Sequence, residues 1–307
     1  MDILADVLRA QRLRGTVYFR AEFREPWGLD IQGGQFANFH IVANGRCWLR
    51  TGPESVRPLE SGDIVLFPHG DSHALLHSPE ATAFPAAHVT GVDTDRNNRV
   101  FGGTGPVTTT LICGHFEPDR SMPHPLLDSL PSLVHVKAAT HEHGDWLAAA
   151  GRLAAAESAS LRSGVTALVD RLAEVLLVQT LLGYVERMSP PEEASFLAAI
   201  KDKAIGRVLG LIHQDPARDW TLDELAHAGA VSRSVLTERF RALVGASPMV
   251  YLARWRMLKA RELLRDTALP IAHVAGAVGY GSEFSFSKAF KRFFGTPPGQ
   301  ARGNAEQ

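Results

Sequence analysis

The 307-residue chain predicts an α+β multidomain protein: an N-terminal antiparallel β-barrel, a helical linker, and a C-terminal all-α domain with two helix-turn-helix units. Three observations carry this expectation. Short β-type runs broken by Gly, Pro, Asp and Asn fill residues 16–117, the pattern of an antiparallel barrel or sandwich. After Trp146 the chain turns rich in Ala and Leu at helical spacing. The last hundred residues then align with themselves. The expected domain boundaries are 1–145, 146–195 and 196–307.

Taken in order, Asp2-Ile3-Leu4-Ala5-Asp6-Val7-Leu8 spaces its apolar residues as a helix does, and Gly15 stops it. Strands are expected at Thr16–Phe19, Phe36–Val42, Cys47–Arg50, Asp63–Phe67 and Thr108–Phe116. Gly91–Gly105, rich in glycine, charge and amides, reads as a mobile surface loop. Helices follow at Ala148–Ser160 and Val165–Met188. In the second, Val165, Leu168, Leu172, Val175, Leu176, Gln179 and Leu182 form an amphipathic stripe. Ser189-Pro190-Pro191 breaks that helix, because proline cannot continue it.

Composition excludes several classes. Two cysteines, Cys47 and Cys113, cannot make a secreted disulfide framework or a Cys-only zinc site. No apolar run approaches the ~20 residues of a membrane span. The acidic N-terminus lacks the basic start of a secretory signal. A cytoplasmic setting is expected. Of the 32 Lys+Arg and 33 Asp+Glu, 16 basic and 10 acidic residues lie from Ala199 onward. The first half is therefore acidic and the second basic, a division that fits one half meeting a polyanion.

The repeat has a period of about 50 residues. Leu225-Ala226 matches Val274-Ala275, Phe240 matches Phe290, Gly245 matches Gly295 and Pro248 matches Pro298. Each copy is a short helix with Ala on its inner face, a tight turn, and a second helix ending in Phe-x4-Gly-x2-Pro. That is the plan of a helix-turn-helix. Thr221, Ser232 and Ser282 stand where N-caps belong, with Glu224 completing a capping box after Thr221. The helix between the copies, Met249–Leu264, spans about 24 Å. With a helix diameter added, the two second helices lie about one DNA turn apart.

Ile271-Ala272-His273-Val274-Ala275, Val278-Gly279-Tyr280-Gly281-Ser282, Phe286-Ser287-Lys288-Ala289-Phe290-Lys291-Arg292-Phe293-Phe294-Gly295 and Pro297-Pro298 resemble the signature of AraC-type transcriptional regulators. Tyr251-Leu252, Arg256, Ala260 and Leu263-Leu264 resemble that family's linking helix. Ala301-Arg302 departs from it, since the family usually places an aromatic before the arginine. In the first unit Arg233, Ser234, Thr237 and Glu238 are expected to face outward, with Val235, Leu236 and Phe240 in the core. In the second, Ser282 is the cap and Glu283, Phe284, Ser285 and Lys288 face outward. Arg and Lys can read guanine, Glu can accept from cytosine, and an apolar contact can meet the thymine methyl. Arg241, Arg256, Lys291 and Arg292 are expected at phosphates, which position without specifying.

Gly62-Asp63-x4-Pro68-x-Gly70-x2-His73 resembles the second motif of cupin barrels, whose turns aim the final histidine inward. The first cupin motif would set its ligands near Gly33, Gly34 and Asn38, where none stands. No metal or other cofactor is therefore expected. Ten of the 13 histidines precede residue 150, and His40 and His77 lie near the motif. Pro26-Trp27-Gly28, Gly45-x-Cys47-Trp48-Leu49 and Cys113-Gly114 extend the resemblance to the cupin-like sensor domain of one AraC-family branch. The resemblance implies a non-enzymatic, effector-responsive regulator whose pocket includes His40, Trp48 and His73. It implies double-stranded DNA, a second copy of the chain, an unidentified small molecule and RNA polymerase as partners, and no membrane. Cys47 and Cys113 are expected as buried, inert thiols. The competing reading is a cupin-type metal enzyme with an accessory helical domain.

Overall fold

The computed structural model describes residues 3–11, 14–86, 99–117, 126, 129–138, 149, 153, 165–187 and 195–303. The chain divides into two compact units. One comprises 13–118 and 130–188; the other comprises 1–12, 119–129 and 189–307.

The first unit is a curled sheet built from β1 (Arg14–Arg24), β2 (Gly28–Ile31), β3 (Ala37–Gly52), β4 (Ser55–Glu60), β5 (Ile64–Phe67), β6 (His73–Leu76), β7 (Phe84–Pro85), β8 (Arg99–Gly102), β9 (Val107–Glu117) and β10 (Val134–Val136). The order along the main path is β7-β2-β6-β3-β9-β1-β8. β3 is the spine. Its first half pairs with β9 and β5, and its second half with β4 and β6, all antiparallel. A register shift between Val42 and Asn44 lets one strand serve both faces of the curl. The sequence predicts two strands here, because Ala43-Asn44-Gly45-Arg46 has the composition of a turn, and the structure joins them into one.

A second difference lies in Gly91–Gly105. Arg99–Gly102 is a strand, paired in parallel with Ala21–Arg24; residues 91–98 lie outside the described residues. The barrel core is apolar and includes Phe23, Trp27, Leu49, Phe67, Leu75 and Leu111. Asp63 is buried in the turn before β5 and is fully engaged: its carboxylate accepts from Glu60 N, Ala138 N and His135 Nε2.

α2 (Val165–Arg187) closes the unit. Ala173, Leu176, Leu177 and Thr180 line a narrow crevice with Phe39, Ile41, Ile64, Leu66 and Phe116. The buried face therefore differs from the expected stripe: Leu168 and Val175 are exposed. This helix is apolar nearly all round, so spacing alone could not choose its inner face. Of the expected helix at Ala148–Ser160, only Ala149 and Leu153 are among the described residues.

The second unit is helical: α1 (Ile3–Gln11), α3 (Phe196–Lys201), α4 (Lys203–Gln214), α5 (Leu222–Ala228), α6 (Arg233–Val244), α7 (Pro248–Asp266), α8 (Ile271–Ala277), α9 (Glu283–Phe294) and α10 (Pro298–Gly303). The opening helix α1 packs here, against α4 and α7. α5–α6 and α8–α9 are the two helix-turn-helix copies, with α7 between them. Among the described residues no helix is long and apolar enough to cross a membrane.

Candidate nucleic-acid interface and sensor interior

The three expected caps all form, although the first helix of the second copy starts at Pro270 without a side-chain cap. The Thr221 hydroxyl accepts from Glu224 N, and the Glu224 carboxylate accepts in return from Thr221 N, a complete capping box. Those bonds and the Arg218 guanidinium hold the Glu224 carboxyl below the usual carboxylate range. Ser232 caps α6 through Val235 N, and Ser282 caps α9 through Ser285 N. Both second helices end on a left-handed glycine, Gly245 and Gly295.

The turns between the helices share one hydrogen-bond pattern. Ala230 N donates to His227 O and Val231 N to Ala226 O; Gly279 N donates to Gly276 O and Tyr280 N to Ala275 O. The left-handed residue of this turn is Ala230 at φ 54 in the first copy and Gly279 at φ 79 in the second.

Hydrophobic demand sets which face of each second helix turns outward. Leu236 and Phe240 bury from α6, and Phe286 and Phe290 from α9. What remains outward on α6 is Arg233, Ser234, Thr237, Glu238 and Arg241, which with Leu222 and Ala242 line an open groove of about 700 Å³. The Arg233 guanidinium lies 3.2 Å from the Asp223 carboxylate, and both are exposed. The Thr237 hydroxyl donates to Arg233 O. Val235 is exposed at 44% rather than in the core, because Leu236 and Phe240 already fill it.

On α9, Glu283, Phe284, Ser285, Lys288, Lys291 and Arg292 are exposed. The Ser285 hydroxyl donates to Ser282 O and the Ser282 hydroxyl to Ser285 Oγ, so both serines are bound into the cap. The repeat also brings Ser287, which is not among the expected contacts, to the place of Thr237, and the 50-residue offset is the signal for it.

Arg256, expected at a phosphate, is engaged by the protein itself. Its Nε donates to Pro216 O at 2.7 Å and a terminal nitrogen to Arg218 O at 2.8 Å. Its guanidinium also lies 6.0 Å from the Tyr280 ring centroid. A Cβ on Gly279 would meet Ala217 O at 2.4 Å. The segment after α4, the turn of the second copy and the linking helix thus meet at one junction centred on Arg256. The sequence could not distinguish this junction from a solvated basic side chain.

In the barrel interior, Gly70 at φ 74 makes the tight approach that precedes β6; a Cβ there would meet Gly34 O at 2.3 Å. β6 then turns His73 inward, stacked on Phe67 at 3.7 Å between centroids. His40 on β3 meets it, Nε2 to Nε2, at 2.7 Å, and His40 Nδ1 lies 3.0 Å from Cys113 Sγ. Because His73 Nδ1 sits 2.9 Å from Asp71 O, and a carbonyl only accepts, the protons of the neutral chain are fixed. Cys113 S–H donates to His40 Nδ1, His40 Nε2–H to His73 Nε2, and His73 Nδ1–H to Asp71 O.

Burial is the first cause of lowering for both histidines, holding His40 well below its usual value and His73 at about 4. Burial likewise raises Cys113 to about 12 and pushes Cys47 up further. Both thiols are free and buried.

Trp48 does not join this group. Its strand neighbours Cys47 and Leu49 point into the core, so Trp48 takes the opposite face and packs on Ala74, Leu76 and Ala81. Among the described residues no group of three His, Cys, Asp or Glu could hold a metal ion.

A curled β-sheet unit together with twin helix-turn-helix units, each with one outward row, is the plan of a DNA-binding regulator. A family model described as "Cupin" matches residues 2–186, and one described as "Helix-turn-helix domain" matches 225–304. A protein of Streptomyces antibioticus described as an AraC-like transcription regulator is 34% identical over 98% of both chains. The HTH-type transcriptional regulator MtrA of Neisseria gonorrhoeae is 31% identical over 100% of both. An AraC-type DNA-binding domain-containing regulator from Chromobacterium violaceum shares 26% identity with a TM-score of 0.34, covering 36% of this chain and 97% of that one. The chain belongs to the AraC-like transcription regulators. It is a regulator, not an enzyme.

Proposed function

We propose that this regulator reads duplex DNA through the outward rows of α6 and α9, placed in successive major grooves. The observation that carries the reading is the groove row Arg233, Ser234, Thr237, Glu238 and Arg241, whose positions recur on α9, 50 residues on, as Glu283, Phe284, Ser287, Lys288 and Lys291. α7 has 19 residues, about 28 Å at ~1.5 Å per residue, a length suited to bridging one turn of DNA. Lys291 and Arg292 near the end of α9 supply phosphate contacts, and Lys288 faces a base edge.

The barrel takes a small-molecule effector at the His40–His73 pair, in the cytoplasm, and two copies of the chain associate. Effector binding shifts the regulator between two arrangements that differ in affinity for DNA and for RNA polymerase. Titrating the full chain into duplexes enriched from a random library tests the DNA-reading part. Lys288→Ala should weaken the selected site about tenfold and lower the salt slope by about one. Unchanged affinity and slope would refute the placement of α9. Sedimentation of the full chain tests the dimer, which a monomer at tens of micromolar would exclude.

A further inference from the structure

Phe284 is 81% exposed, the most exposed large hydrophobic side chain among the described residues. It is not a displaced core residue. Phe286 and Phe290 of the same helix are fully buried, and Phe293 and Phe294 pack against the same cluster. Phe284 lies two residues after the cap Ser282 on the first turn of α9, flanked by the exposed Glu283 and Lys288. Its counterpart 50 residues earlier is Ser234, which lines the open groove of the first copy. The fold therefore holds a bare aromatic ring where the other copy holds a hydroxyl.

In the major groove guanine, adenine and cytosine offer hydrogen-bonding edges, and only thymine adds an apolar group, its 5-methyl. A phenyl ring cannot donate or accept a conventional hydrogen bond, so it gains most where it covers that methyl and removes both from water. We propose that Phe284 is a specificity residue that reads the 5-methyl of one thymine in the half of the site facing α9. The assignment rests on the DNA-reading function above.

The test uses the full chain and a site enriched from random duplexes, with deoxyuridine replacing each thymine in turn. At one position the wild type should lose about fourfold in affinity, the value of one buried methyl. It should regain that affinity with 5-bromodeoxyuridine, whose bromine fills the methyl's place. Phe284→Ala should bind the thymine site several-fold more weakly and no longer distinguish thymine from uracil there. Because the side chain is exposed, its thermal unfolding should match the wild type. Sequence-specific binding indifferent to every such replacement would overturn the proposal, as would Phe284→Ala that still discriminates. Failure to enrich any sequence is a different result: it would remove the DNA-reading function and this assignment with it.

Discussion

The first helix-turn-helix turns on an alanine and packs on a tyrosine bonded to a histidine; the second turns on a glycine and packs around phenylalanines. From the turn onward their backbones follow one hydrogen-bond pattern, through a serine-capped second helix to a left-handed glycine end. What differs is the space around each turn. Ala230 is exposed, so its Cβ extends into solvent and the positive φ is its only cost. Gly279 faces Ala217 O across a gap that no Cβ fits. The same difference runs through the cores. His213 of α4 is stacked on Trp255 at 4.0 Å and bonded at 2.7 Å to Tyr251, both of α7, and Phe240 of the first copy packs on that same Tyr251. The second is closed by Phe286, Phe290, Phe293 and Phe294. One backbone plan therefore tolerates two chemistries, and tolerance ends where the turn of the second copy meets the segment after α4.

The largest effect should come from that contact. Gly279→Ala combines left-handed strain with a backbone collision, and should cost about 3 kcal/mol. Chemical denaturation of the full chain reads this directly; a loss below about 1 kcal/mol would mean that the Ala217 segment yields and that the junction is soft.

Arg256→Ala should cost about 2 kcal/mol, since it strips two charge-assisted hydrogen bonds from carbonyls of the segment after α4. The decisive readout is DNA binding. The salt slope should stay at the wild-type value, because no phosphate contact is lost. Tolerance to one inserted base pair between the two half-sites should rise, because the junction between the copies is loosened. A slope lowered by one unit would restore Arg256 to the phosphate backbone.

Acid should separate the copies. Burial, with a smaller effect of the Lys259 charge, lowers His213 to about 3, and this outweighs the Asp6 carboxylate 3.7 Å from its Nδ1. A depressed histidine binds its proton in the unfolded chain before the folded one. Its contribution is therefore complete above about pH 6.5 and is lost as pH falls toward 3. At pH 5 the first copy should be weaker by about 2 kcal/mol, seen as faster amide exchange in α4 and α6 than in α9. His213→Gln should flatten that dependence.

The repeat explains how much could be read without a structure. Caps, turns and outward rows are local, written within a dozen residues, and Thr221, Ser232 and Ser282 announce them. Arg256 illustrates the opposite case, since its partners lie 38 and 40 residues away and nothing near it in the chain points to them. In the barrel, the Gly-Asp and Pro-x-Gly turns pointed to His73, whereas His40 was marked only by lying near the cupin motif. Trp48 was misplaced because the register of β3 against β6 decides its face, and a one-residue change of register inverts every side chain. α2 failed for want of contrast: with apolar residues around its circumference, only the barrel surface it meets selects Leu176 and Leu177 over Val175.

The smallest effect sharpens the comparison most. Ala230→Gly relieves a left-handed alanine, a strain of about 1–2 kcal/mol. It also frees the unfolded chain, which returns about 0.5–1 kcal/mol. The balance is a gain of about 0.5 kcal/mol, a small rise in the denaturation midpoint. The two substitutions then carry opposite signs at equivalent positions of one repeat. If Ala230→Gly were instead destabilising, the Ala230 methyl would have to be packed rather than solvated, and the account of why one turn accepts alanine while the other excludes it would fail.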